Sequence, residues 1–373
     1  MQTRREIRID FIRGLALLAI FVGHAGFDFS EAFQQARGFS DASEIFVLLA
    51  GVSAALAYWR PSGFDPEAAS AKTLRRALRL YLVHLATVAA LLLTVALPPI
   101  ASRPAIVAEL GLDTFGAAPM RNATEIVLLS FMPGDLDILP LYVFLIVATP
   151  FFLALHDRSR RRLLALSGGL ALAFGALKLD FVNDAMPAGG WYFDPLSWQF
   201  VFVIGLCIGA ALKQGKDPLG YRVWLFRLAA AFVLAAIPAN LLLHFVFTEL
   251  SSSHLVHALV SKTFVGPLRL ANALALLYVL WNLPAVKRLA ADGALAPVFA
   301  AGAASLPVFV FGLALSTLCQ MLMASEGAIP LAAQACLAAG GCLAQCVLAT
   351  HLAERKLKRR SASVPLAASR PSG

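Results

Sequence analysis

The sequence contains few charged residues. Asp, Glu, Lys and Arg make up 14% of the 373 residues, whereas hydrophobic residues make up 59%. A water-soluble domain carries about 25% charged residues, so this composition excludes an ordinary soluble enzyme. Apolar stretches recur from end to end, and about 20 apolar residues suffice to cross a bilayer. The sequence therefore predicts an all-α polytopic membrane protein.

Several functional signatures are also missing. The five cysteines all lie in apolar stretches without zinc-site spacing, which favours buried thiols and predicts no metal site. No P-loop, dinucleotide fingerprint, GxSxG elbow or HExxH motif occurs, which excludes the enzyme classes built on them. No internal repeat is visible, which counts against a transporter made of inverted repeats. Without a soluble catalytic domain, any chemistry must take place within or beside the membrane.

Hydropathy predicts a bundle of about ten transmembrane helices. The spans are placed near 9–27, 42–59, 77–97, 138–155, 163–177, 196–212, 223–247, 264–282, 297–323 and 329–352.

The basic residues predict the orientation of these spans. With the N-terminus inside, 24 of the 31 Lys and Arg fall in inner segments and five in outer segments. Cytoplasmic loops of membrane proteins carry this excess, so both termini are predicted to be cytoplasmic. The net charge of +9 then reflects topology and the lipid bilayer, and no nucleic-acid partner is expected. We predict one transmembrane domain over 1–355 and a basic, disordered cytoplasmic tail over 356–373.

Ionisable residues lie at both ends of the first span. Asp10 and Arg13 are three residues apart, so they share a helix face and can pair. His24 follows Asp10 by fourteen residues, or four helical turns, and lies about 16 Å beyond Arg13. Charges inside a membrane helix usually mark a substrate or ion path. The alternative is a helix-start carboxylate beside a positive-inside anchor.

Asp41 and Glu44 open the second span on the same outer side as His24. A carboxylate beside an imidazole fixes its tautomer and raises its basicity, so either residue is a candidate to orient His24. The alternative is an N-cap with acidic residues at the positive end of the helix dipole.

A second set of outer residues fits a carbohydrate ligand. Asp135, Asp137 and Tyr142 lie where the fourth span begins and could hydrogen-bond sugar hydroxyls, unless they serve only as caps and turns. Trp191 and Trp198 belong to an aromatic segment that could stack on sugar faces. An interfacial aromatic belt would have the same composition.

The remaining candidates are cations. Arg269 lies inside the eighth span, where it could stabilise negative charge or extend its side chain to the interface. Arg75, Arg76 and Arg79 lie at the inner face and could bind phosphates, or serve as topology anchors.

These residues resemble the transmembrane acyltransferase superfamily, which includes acyltransferase family 3. Its members open with an Arg–Asp–Arg-Gly pattern followed by a histidine, here Arg8, Asp10, Arg13-Gly14 and His24. Within it, the sequence more closely resembles the OpgC family, whose members succinylate periplasmic glucans. Six blocks carry this resemblance: Asp10–Leu18, Gly38–Val47, Ile138–Tyr142, Trp191–Phe202, Gly266–Leu270 and Ser305–Phe309.

The resemblance implies a multi-pass protein of the bacterial inner membrane. It implies cytoplasmic succinyl-CoA, or another acyl-CoA, as donor substrate, a periplasmic glucan as acceptor, and no tightly bound cofactor. Arg13, positioned by Asp10, and the basic segment 72–79 would meet the donor phosphates. A homo-oligomer is a further candidate partner.

The implied mechanism centres on His24, which would act as general base or as a transient acyl carrier. Asp41 or Glu44 would orient His24, and Arg269 would stabilise the oxyanion. The alternatives are an O-acetyltransferase of another surface polysaccharide and a transporter of glycans or small acids.

Overall fold

The computed structural model describes residues 6–62, 64–97, 104–110, 112, 115–184, 190–251, 253–293, 295–325 and 328–362. Within these residues the structure is helical, and β-type pairing is confined to an isolated bridge between Val182 and Gly190. The helices, in chain order, are α1 (Ile7–His24), α2 (Ser30–Gln35), α3 (Ala42–Tyr58), α4 (Pro66–Val95), α5 (Pro104–Glu109), α6 (Pro119–Val127), α7 (Ile138–Arg158), α8 (Arg160–Leu177), α9 (Pro195–Lys213), α10 (Val223–Phe245), α11 (Thr248–Ser251), α12 (His254–Val260), α13 (Pro267–Asn282), α14 (Pro284–Asp292), α15 (Ala296–Ala303), α16 (Ser305–Ser325) and α17 (Leu331–Ala362).

The all-α prediction agrees with these residues, and a helix occupies each predicted span. The ninth span is divided between α15 and α16. Among the described residues, six helices are long and apolar enough to cross a membrane, namely α4, α7, α9, α10, α16 and α17, and α3 is a shorter apolar helix. The fold is therefore that of a helical membrane protein. The count of about ten crossings and the cytoplasmic termini stay predictions.

The C-terminal boundary differs from the prediction. Helix α17 continues through Ala362, so a disordered tail is wrong for residues 356–362. Lys and Arg are good helix formers and are favoured near the negative end of the helix dipole, which explains why the basic segment extends the helix. Residues 363–373 of the predicted tail lie outside the described residues.

Helix α3 lies at the centre of the bundle and packs against α1 and α9. Its close contact with α9 depends on glycine. A Cβ added to Gly51 would overlap the carbonyl group of Phe202, and one added to Gly205 would overlap that of Leu48. Small residues let membrane helices approach closely enough for their backbones to pack. Helices α1 and α15 also pack closely at a glycine, because a Cβ on Gly302 would overlap the backbone of Asp10.

This glycine packing yields a stability prediction. Gly205→Ala should destabilise the bundle by about 1–3 kcal/mol, because the α3 and α9 backbones must separate to admit the methyl group. We expect a lower thermal midpoint in detergent and less folded protein in membranes. Gly340→Ala on α17 is the matched control, since its added Cβ meets nothing within 4 Å. Equal midpoints for the two variants would contradict this account of the packing.

Candidate active site

His24 is the last residue of α1, and side chains from other elements hold the end of this helix. The final carbonyl groups of a helix lack partners within it and need donors from elsewhere. Gln34 Nε2 donates to Gly23 O at 2.6 Å, and Gln320 Nε2 donates to His24 O at 2.8 Å. The backbone of His24 is therefore anchored by α2 and α16.

The His24 ring pairs with Asp135. Nδ1 of His24 lies 2.8 Å from Oδ1 of Asp135, with side chains 27% and 30% exposed. Gln320 Nε2 also donates to Asp135 Oδ2 at 3.2 Å, so one glutamine binds both members of the pair. A carboxylate only accepts, which places the proton of a neutral ring on Nδ1. Nε2 makes no hydrogen bond with the described part of the chain.

A structured loop between α6 and α7 presents Asp135. Gly134 adopts φ +58°, in the left-handed region that glycine tolerates. The backbone N–H of Met132 donates to Asn183 Oδ1 at 3.0 Å. Asp135 was predicted to bind sugar; the structure pairs it with the His24 ring.

Asp41 and Glu44 have different partners, so the prediction that one of them orients His24 is wrong. Asp41 caps α3 through Ser43 N at 2.7 Å, and Glu44 Oε2 accepts from Asp41 N at 2.9 Å. Lys262 Nζ lies 2.6 Å from Asp41 Oδ2, and Arg269 Nη1 lies 2.8 Å from Glu44 Oε1. We call Asp41, Glu44, Lys262 and Arg269 the outer charge cluster.

Asp41 and Lys262 each stabilise the charged form of the other. Burial opposes both charges, but Lys262 together with Arg269 holds the pKa of Asp41 well below its ordinary value. Burial likewise disfavours the ammonium, yet Asp41 raises the pKa of Lys262 above its ordinary value. Both groups are therefore ionised at neutral pH.

Asp135 and Asp137 differ in protonation. Burial alone would raise the pKa of Asp135, but His24, with smaller contributions from Gln320 and Lys262, holds it below the ordinary value. Burial and the adjacent charge of Asp135 raise the pKa of Asp137 to about 7. Asp135 is thus a carboxylate acceptor for His24, whereas Asp137 can carry a proton near neutral pH.

A cavity of about 210 Å³ opens between α1, α3, α4, α7 and α16. Its polar lining includes Arg13, Ser53, Arg76 and Tyr142. Arg13 bonds to Leu49 O at 3.1 Å and to the Ser53 hydroxyl. The predicted pairing of Arg13 with Asp10 is present, with Nη1 3.9 Å from Oδ1.

Only one of the three arginines predicted at the inner face of α4 lines the cavity. Arg76 is half-buried and lines it, whereas Arg75 and Arg79 are exposed and do not. Tyr142 was predicted at the outer sugar site, but it lies one turn into α7 and lines this cavity. Its hydroxyl is buried without a hydrogen-bond partner among the described residues.

The tryptophan prediction is contradicted by burial. Trp191 Nε1 donates to Val182 O at 3.1 Å, and Trp198, fully buried, donates to Lys262 O at 3.0 Å. Both indoles therefore support the loops around the site and cannot stack on a sugar. Tyr192, next to Trp191, is partly exposed, and Lys262 Nζ lies 4.9 Å from its ring centroid.

Sequence reasoning missed three residues of the site. Gln320 is a polar residue in an otherwise apolar part of α16, which is the signal that could have found it. Lys262 was counted only as an outer-loop cation. Ser53 carries no signal of its own, because serine is unremarkable in a membrane helix.

One comparison with known proteins is informative. The family model described as OpgC protein matches residues 5–357. No curated protein matches the chain, and no solved structure does. Because the family model covers nearly the whole chain, this protein belongs to the OpgC family, and its expected activity is that of a glucan-modifying acyltransferase.

Proposed function

We propose that this protein is an O-succinyltransferase of the bacterial inner membrane. It moves a succinyl group from cytoplasmic succinyl-CoA to hydroxyl groups of periplasmic glucans, as the resemblance to the transmembrane acyltransferase superfamily implies. The observation that carries the proposal is the His24–Asp135 pair, with Nδ1 and Oδ1 2.8 Å apart and Nε2 left for a substrate.

The proposed chemistry starts at Nε2 of His24. Asp135 accepts the Nδ1 proton and orients the ring, so Nε2 presents its lone pair and removes the proton of a glucan hydroxyl. The hydroxyl oxygen attacks the thioester carbonyl, an ester bond forms and the carbon–sulfur bond breaks. The proton on His24 then passes to the leaving thiolate, which gives the glucan ester and free CoA thiol. Transfer through a transient acyl group on Nε2 has the same overall balance.

The charges around the pair support this reaction. Asp137, with a pKa of about 7, can donate to or accept from a sugar hydroxyl. Arg269 was predicted to stabilise the oxyanion, but its Nε donates to Val260 O at 3.1 Å and its Nη1 to Glu44. Its proposed contribution is to hold the outer charge cluster beside the reacting groups.

The cavity between α1, α3, α4, α7 and α16 is the proposed route for the donor. Arg13 and Arg76 supply positive charge, which suits phosphate groups. Phe46 and Phe309 contribute apolar lining. His24 lies about 16 Å along α1 from Arg13, a separation that suits a long, thin donor with an anionic head and a reactive end.

The placement of the inner cations yields a prediction about donor binding. Arg76→Ala should raise the KM for succinyl-CoA about tenfold and leave kcat nearly unchanged, because it removes a charge that contacts donor and transition state alike. Initial rates of thiol release from purified protein measure this. Arg75→Ala is the matched control on the exposed face of α4, and its KM should stay within about twofold of the wild-type value. Similar increases in KM for both variants would contradict the cavity as the route for the donor.

Mass spectrometry of periplasmic glucans from cells with and without this gene tests the function. Loss of the succinyl substituent in the deletion strain, and its return with the plasmid-borne gene, is the expected result. Loss of an acetyl substituent instead would identify acetyl-CoA, and not succinyl-CoA, as the donor. Identical glucans in the two strains would overturn the proposal.

A further inference from the structure

Lys262 connects the outer charge cluster to the His24–Asp135 pair. Its ammonium lies 2.6 Å from Asp41 Oδ2, with a side chain only 12% exposed. The same positive charge acts on Asp135, whose pKa it helps to lower, and on Asp137. Lys262 is therefore a largely buried cation, paired with Asp41, whose charge also reaches the His24–Asp135 pair.

The cations in this region outnumber the cluster's carboxylates. Three cations, Lys262, Arg269 and the neighbouring Arg37, lie around the two carboxylates Asp41 and Glu44. Arg269 is engaged by both carboxylates. Arg37 is different, because its Nε and Nη1 are buried without a hydrogen-bond partner among the described residues. A buried donor without a partner costs free energy, and a charged one costs more.

The remaining surroundings of Lys262 leave N–H donors of its ammonium without a partner among the described residues. The rings of Tyr192 and Phe193 lie 4.9 and 5.5 Å from its Nζ. Aromatic faces stabilise an ammonium without using its N–H donors. Asp41 takes one of the three donors. Asp135 forms its bonds with His24 and Gln320, and no ion pair joins it to Lys262 among the described residues.

A short dicarboxylic acyl group carries its free carboxylate close to the reacting carbonyl. In a succinyl group three carbon–carbon bonds separate the reacting carbonyl from the free carboxylate, a reach of about 4 Å. A site that selects this group must therefore place a cation close to the reacting carbonyl. An acetyl group has no charge to present there.

We propose that Lys262, supported by Arg37, binds the free carboxylate of a dicarboxylic acyl donor and makes the enzyme prefer succinyl-CoA to acetyl-CoA. This inference rests on the proposed acyl transfer and adds its specificity determinant. A carboxylate bound there completes the hydrogen bonding of Arg37 and holds the thioester carbonyl beside Nε2 of His24.

The test compares two donors with purified Lys262→Met. We measure kcat/KM for succinyl-CoA and for acetyl-CoA with the same glucan acceptor. The succinyl-to-acetyl ratio should fall about 100-fold, because a site built to pair a charged group discriminates strongly through it. Lys262→Arg keeps the charge and should restore part of the ratio. Lys178→Met, at the exposed end of α8, is the matched control and should leave both values unchanged.

Arg37→Gln provides a second variant if Lys262→Met yields no folded protein, and its ratio should fall about tenfold. An unchanged ratio in a folded variant, with both donors slowed equally, would overturn the assignment and leave the acyltransferase standing. A wild-type preference for acetyl-CoA would also overturn the assignment of Lys262 and leave the acyltransferase standing. Wild-type protein that consumes neither donor would overturn the proposed function itself.

Discussion

Replacing His24 by alanine should reduce acyl transfer by about 10³-fold or more, because it removes the group that takes and returns the proton. The variant should still fold, since the contacts that anchor this end of α1 use the backbone carbonyl of His24. Transfer is measured as glucan ester formed per folded molecule in membranes.

His244→Ala is the matched control for this experiment. His244 also pairs with a carboxylate, since its Nε2 lies 2.6 Å from Glu31 Oε1. It lies on α10, however, and is 39% exposed. Its loss should leave transfer within about twofold of wild type. Transfer that survives in His24→Ala would remove the central residue from the mechanism.

Asp135→Asn should lower kcat by about 10²–10⁴-fold and change the KM for the donor little. The amide keeps the shape of the carboxyl group but cannot stabilise a positively charged imidazole, and its NH₂ group favours the wrong tautomer of His24. Single-turnover kinetics with saturating succinyl-CoA isolate the chemical step.

Asp41→Asn distinguishes this role from a general need for outer carboxylates. Asp41 caps α3 and pairs with Lys262, so its loss should chiefly lower the yield of folded protein. Per folded molecule, Asp41→Asn should retain much more activity than Asp135→Asn. Lower activity in Asp41→Asn than in Asp135→Asn would indicate that Asp41 orients His24.

The helices and the pairing within α1 could be predicted because they depend on local information. Apolar runs determine helix positions, and the three-residue spacing of Asp10 and Arg13 places both side chains on one face. The break between α15 and α16 was missed. It separates an 8-residue helix from a 21-residue helix, and because both are apolar, hydropathy does not reveal it.

The partner of His24 could not be predicted, because it depends on tertiary structure. Asp41 and Asp135 both stand at the outer start of a predicted span, and spacing does not distinguish them. The choice follows from the loop held by Asn183 and from Gln320 on α16, which are distant in sequence. The burial of Trp191 and Trp198 could not be predicted either, because composition does not distinguish a buried indole from one that stacks on a sugar.

Covalent transfer by the purified protein is the sharpest test of acyl transfer at His24. Wild-type protein in lipid vesicles is incubated with succinyl-CoA and glucan, and thiol release and glucan mass are followed together. Wild-type protein should form one succinyl ester on glucan for each thiol released, and His24→Ala should form neither product. Thiol release without a gain in glucan mass, or movement of glucan across the vesicle without any thiol release, would contradict it.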